Sequence, residues 1–154
     1  MSTRSNIGII NEDGSVDVIY CHWDGYPCHN GALLLHHYKE EDKVRRLMRL
    51  GDISYLAEKL EPAPGQEHTY DKPADGVVVA YGRDRGEKHT EARHYESVDA
   101  YLDHMHREFT GVEHIYLFDP GSGNWLWSPC QNAPEPPPEL HQLTEEDVKE
   151  PTAA

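Results

Sequence analysis

The sequence predicts an α+β fold: a single, mainly antiparallel sheet with helices packed on one face. Three observations lead there. Alternating apolar and polar residues, the mark of a strand, occur near both ends of the chain. Helical periodicity falls between them, in Glu40–Leu50 and again from Val98. Turn residues sit where hairpins need them, in "NEDGS" and in "DPGSG". Strands at both ends with helices between them are most simply placed in one antiparallel sheet with a helical cover.

Each element has a local reason. "SNIGII", the Asp-Gly turn and "VDVIYCHW" form the first hairpin. Asn30 and Gly31 open a helix through "ALLLHHY". A second helix over Glu40–Leu50 places Val44, Leu47 and Met48 on one face and stops at Gly51. "DISYLAEKL" has the apolar spacing of a third, short helix. Pro and Gly make "EPAPGQEHTYDKPAD" a loop, and "GVVVAYG" is a strand. Ser97 caps a helix whose apolar stripe is Val98, Tyr101, Leu102, Met105 and Phe109. "HIYLF" and "NWLWS" close the sheet as a second hairpin. The expected order is β-β-α-α-α-β-α-β-β.

These elements place a globular domain at residues 1–130. From Gln131 the composition changes. Residues 131–154 hold five of the eleven Pro, six acids and one Lys, a net charge of −5 out of −14. Such a run has little apolar surface to offset ordering, so 131–154 is expected to be an acidic, Pro-rich disordered tail. Thr144 and Asp147 have the spacing of a cap for one short helix.

A net charge of −14 is repelled by phosphate backbones, so direct nucleic-acid binding is not expected. Acidity of this size serves solubility, or competes with nucleic acid for a basic groove on another protein. No apolar run approaches the ~18 residues of a membrane span, and "MSTRSNIGII" has no long apolar segment of the secretory kind. Three Cys, an odd and small count, fit free thiols in a reducing cytoplasm.

Two stretches carry candidate chemistry. "YCHWDGYP", Tyr20–Pro27, lies where the second strand turns toward the first helix. Along that strand Tyr20 and His22 project to one side and Cys21 and Trp23 to the other. Trp23 and Tyr26 offer faces for stacking, and Asp24 offers an acceptor. The same residues would also serve to close one end of a core. "YGRDRGEKH", Tyr81–His89, leaves the central strand, and Arg83 and Arg85 can grip an anion there. They can equally pair with Asp84 and Glu87. The candidate ligand-binding set is therefore Tyr20, His22, Trp23, Asp24, Tyr26, Arg83 and Arg85.

Cys21, His22, Asp24, Cys28, His29, His36 and His37 fall close together, but C-x6-C is not a zinc spacing and no second Cys pair follows. No metal and no cofactor is expected. The chain lacks a Walker loop, G-x-S-x-G and HExxH. His22 and Asp24 could supply an acid and a base, but no complete catalytic set is visible.

"TRSNIGI", "YCHWDGYP", "LGDIS" and "AYGRDRGE" together resemble a group of small accessory proteins of tailed phages and prophages, in the same order over most of residues 3–127. Cys28, His29 and the acidic tail lie outside that pattern. The resemblance implies a soluble protein in the cytoplasm of an infected bacterium. Small non-structural phage proteins of this kind often bind and disable a host system. The expected function is a binding protein that counters host defence, by sequestering a nucleotide-like ligand or by occluding a host protein. The alternatives are a small enzyme acting on a phosphate-containing substrate, and an accessory protein without a defence target.

Overall fold

The computed structural model describes residues 2–150. Within them, eight strands form one sheet in the order β4-β3-β2-β1-β6-β7-β8, with β5 also paired to β2. Strands β1 (Ser5–Ile10) and β2 (Val16–Cys21) make the expected antiparallel hairpin. A π-helical turn, Pro27–Gly31, runs into α1 (Ala32–His37), and α2 (Glu41–Leu50) follows. Then come β3 (Ile53–Tyr55), β4 (Val79–Ala80), α3 (Tyr81–Arg85), β5 (Arg93–Tyr95) and α4 (Val98–Arg107). The hairpin β6 (His114–Asp119) and β7 (Asn124–Pro129) precedes β8 (His141–Gln142).

The α+β class is as expected, but the sheet is mixed. The central pair β1–β6 is parallel, Ser5 to Ile9 against His114 to Phe118, and β3 runs parallel to β2 at Cys21. The first and last hairpins meet side by side in the middle of the sheet, and the chain between them has length enough for a crossover. Helices lie on both faces rather than one. Ile7, Ile9, Ile19, Tyr116 and Phe118 face α1 and α2, with Leu34, Val44 and Leu47 buried among them. Val16, Val18, Ile115 and Leu117 face α4 through Tyr101 and Met105. The central strands are therefore apolar on both sides, and two helical layers are needed to cover them.

Local sequence explains most boundaries. Helix α2 buries Val44, Leu47 and Met48 and ends at Gly51, whose φ of 77° and close approach to the Thr90 carbonyl both require glycine. Ser97 caps α4 by accepting the Ala100 N–H at 3.0 Å. Helix α4 stops at Arg107, and Phe109, expected on its apolar stripe, is 89% exposed. The Asn132 amide explains the early stop. It donates to the carbonyls of Met105, His106 and Glu108 at 3.3, 2.9 and 2.8 Å, satisfying the end of the helix in place of another turn.

"DISYLAEKL" is not a helix. Its first residues form β3, which pairs with β2 and β4. The outer edge of β2 shows why. Strand β5 occupies that edge at Val16–Val18 and β3 at Cys21, leaving the Tyr20 N–H without a strand partner. The Asp52 carboxylate fills the gap. It accepts the Tyr20 N–H at 3.0 Å and two Arg93 N–H bonds at 2.5 and 2.8 Å.

Residues 131–150, expected as a disordered tail, are docked on the domain. Strand β8 pairs with β7, and Leu143 donates its N–H to the Trp125 carbonyl at 2.8 Å. Leu143 and Val148 are 2% and 7% exposed in the larger core. His36 and Glu145 pair at 2.7 Å. Thr144 does bond Asp147, and Val148 is the apolar residue that seats the turn. Two well-placed apolar side chains suffice where a formed core offers sockets for them. Residues 151–154 of the expected tail lie outside the described residues. No helix among the described residues is long and apolar enough to cross a membrane.

Leu143→Ala is therefore expected to cost about 2–5 kcal/mol, as for a buried leucine. Chemical denaturation of the full chain measures this. A midpoint equal to wild type would show that the segment contributes nothing to the core.

Candidate functional site

Two of the candidate residues, Tyr20 and Trp23, line separate concavities on either side of the end of β2, while His22, Asp24 and Tyr26 line neither. Tyr20 projects toward the α4 layer, and its hydroxyl lies 2.8 Å from His22 Nδ1. Burial pushes the His22 pKa down, and the nearby Arg4 charge adds to this. Burial likewise raises Tyr20. Tyr20 lines a cleft of about 260 Å³ with Asn6, Arg93, Tyr95, His104 and Thr110.

Trp23 takes the other side. After it the chain turns sharply: Asp24 has φ 55°, and Gly25 passes so close to Ser5 that a Cβ there would lie 2.7 Å from Ser5 Cβ. Gly25 donates to the Thr3 carbonyl at 2.8 Å, and its own carbonyl accepts the Tyr116 hydroxyl at 2.6 Å. The turn is thus fixed from beneath while its aromatic residues stay outside. Tyr26 is 37% exposed and donates to Asp24 Oδ1 at 3.3 Å. Trp23 is 41% exposed, held edge-on to His22 with ring centres 4.8 Å apart.

Trp23 lines a groove of about 480 Å³, within the size range of small-molecule sites, with Tyr55, Tyr70, Asp75, Val77 and Val79. Tyr55 comes from β3, and Tyr70 from the loop after it. Sequence reasoning missed both. The one available signal was that both are tyrosines in segments bounded by turn residues, which does not say that they meet Trp23.

Arg83 and Arg85 lie on the short helix α3 rather than on a loop, and they diverge. Arg83 turns inward. It donates to the carbonyls of Leu60 and Val78 at 2.5 and 2.7 Å and to Asp84 at 2.8 Å. Asp84 also accepts the Ala80 N–H at 2.8 Å and lies 3.2 Å from His68 Nε2. This is the internal Arg–Asp network, and it removes Arg83 from the ligand-binding set. Arg85 turns outward over the Tyr70 ring, 4.9 Å from its centre, with Nη1 3.4 Å from the Tyr70 hydroxyl. Its contact with Glu87 is loose at 3.7 Å. Tyr70 lines both the aromatic groove and the recess that holds Arg85, so the Arg85 guanidinium is one tyrosine ring away from the groove.

The three cysteines are free. Burial pushes the thiols of Cys21 and Cys130 up to about 11, which leaves both as poor nucleophiles at neutral pH. No cluster of three or more His, Cys, Asp or Glu suited to a metal ion occurs among the described residues.

The two arginines should separate experimentally. Arg83→Ala strands two backbone carbonyls and is expected to cost about 2 kcal/mol, whereas Arg85→Ala, an exposed change, should stay within about 0.5 kcal/mol. Paired melting curves test this, and equal midpoints would contradict it. Burial alone would raise Asp84. The bonds from Arg83, Ala80 and His68 and the Arg83 charge outweigh burial and hold its carboxyl below the ordinary 3.8. A depressed carboxyl gives stability that is fully present above its unfolded pKa and is lost as pH falls through the folded one. Acid titration should therefore show a stability loss below pH ~4 that Asp84→Asn flattens. An unchanged acid limb in that variant would contradict the assignment.

Against protein-family models, curated proteins and solved structures, the chain has no significant match.

Proposed function

We propose that this chain is a recognition protein for a planar, anionic, nucleotide-like ligand. The ring stacks against Trp23, with Tyr55 beside it in the groove, and the negative group meets Arg85. The observation that carries this reading is the groove itself: exposed aromatic side chains from separate segments line one concavity, and an outward-facing guanidinium lies against Tyr70 in its wall. Exposed aromatics cost free energy in water, and a stacking partner recovers it. The net charge of −14 disfavours long nucleic acids, while a single small anion answers to the local Arg85 charge.

The resemblance to phage accessory proteins supplies a setting. In the cytoplasm of an infected bacterium, sequestering a nucleotide signal would counter a host defence. Occlusion of a host protein by the acidic surface is the competing mode, and an accessory role without a defence target is the remaining one. Turnover has less support. His22 is bonded to Tyr20 and Asp24 to Tyr26, so neither is poised against the other as an acid–base pair.

Calorimetric titration with a panel of nucleotides tests the proposal. Saturation at a fixed molar ratio with no product is expected. Trp23→Ala should cost about 1–3 kcal/mol of binding, the usual worth of one stacked base, and Arg85→Ala should cost about tenfold in affinity. Conversion of excess nucleotide by catalytic amounts of protein would replace binding with an enzymatic function. Absence of binding across the panel would overturn the nucleotide reading and leave occlusion or an accessory role without a defence target.

A further inference from the structure

One side-chain chain reaches the groove from the core. Asn30, in the turn before α1, is fully buried. Its Nδ2 faces Ser5 Oγ at 3.2 Å, Cys21 Sγ at 3.3 Å and the Trp23 carbonyl at 3.5 Å. A carbonyl can only accept, so the amide nitrogen belongs on that side and Oδ1 faces His29 Nδ1 at 2.9 Å. An amide oxygen in turn requires a proton on Nδ1. His29 in its neutral form therefore presents a bare Nε2, which lies 3.1 Å from the Tyr55 hydroxyl. The Tyr55 proton is committed to that nitrogen. What Tyr55 offers the groove is its oxygen lone pairs. The exposed carboxylate of Asp75 lines the same groove and is also an acceptor.

We propose that the Asn30–His29–Tyr55 chain makes the groove selective for a ring edge that donates hydrogen bonds. Resting on the nucleotide-binding reading, this names the ligand class: bases with an exocyclic amine, as in guanine, adenine and cytosine, are taken over uracil and thymine. Uracil carries a carbonyl where cytosine carries its amine, and its single N3–H donor lies between two carbonyls. Opposite Tyr55 and Asp75 those carbonyls meet lone pairs, and a site built for one polarity rejects the other. His29 does not touch the ligand. It is a positioning residue that sets the direction of the Tyr55 hydroxyl.

The test has two parts, both on the full chain. Nitrogen-15 NMR of the free protein at neutral pH should place the His29 proton on Nδ1. Calorimetry with GMP, AMP, CMP and UMP should show the amine-bearing bases preferred over UMP by about tenfold or more. Tyr55→Phe keeps the ring and removes the acceptor, so the preference should narrow with the melting midpoint unchanged. His29→Phe frees the Tyr55 hydroxyl to donate, so UMP affinity should rise toward the others. A proton on Nε2, or equal affinity for all four nucleotides, overturns the selectivity while leaving nucleotide binding intact. Failure of all four to bind overturns both readings.

Discussion

The structure depends on one carboxylate. Strand β2 must accept two partners along a single edge, β5 antiparallel and β3 parallel, and no strand can serve both across the gap between them. Asp52 bridges that gap with its side chain and extends the link with its backbone. Its N–H donates to the Thr90 carbonyl at 2.7 Å, and its carbonyl accepts the Tyr81 N–H at 3.2 Å. One residue thus joins β2, β3, the start of α3 and the approach to β5. A buried N–H left open at Tyr20 would cost about 1–3 kcal/mol. Gly51 precedes Asp52 because the chain must turn there without a side chain in its path.

The groove follows from that junction. Strand β3 carries Tyr55, β2 runs on into Trp23, and α3 carries Arg85, so all three sides take their position from the Asp52 bridge. Strand alternation then separates the two concavities. Tyr20 lines the cleft on the α4 side, and Trp23 lines the groove on the other. The density of aromatic and polar residues in "YCHWDGYP" does not mark one site. It marks a strand with a different neighbour on each face and a turn that must be held from below.

Much of this was legible in the sequence where periodicity and burial agree. The hairpins β1–β2 and β6–β7 and the helices α2 and α4 are such cases. Strand β3 was not legible, because Ile53, Leu56, Ala57 and Leu60 fall at helical spacing although the chain there is extended. All four are buried, so the pattern correctly reported burial and misreported the backbone. Trp23 was legible as a strand-end residue. Tyr55 and Tyr70 were not, since a groove built from distant segments has no local signature. Which arginine turns inward depends on the carbonyls of Leu60 and Val78, which only the folded chain brings together. The segment after Gln131 was misread because composition averages over Leu143 and Val148, and the core does not.

The docked segment also bears on how copies of the molecule stay apart. Whenever residues 141–148 leave the sheet, the edge of β7 and the socket of Leu143 stand open to other chains. A sheet that has lost its covering edge strand is at its most adhesive. The acids that crowd this segment, Glu139, Glu145, Glu146 and Asp147, carry like charge on every copy and oppose such pairing.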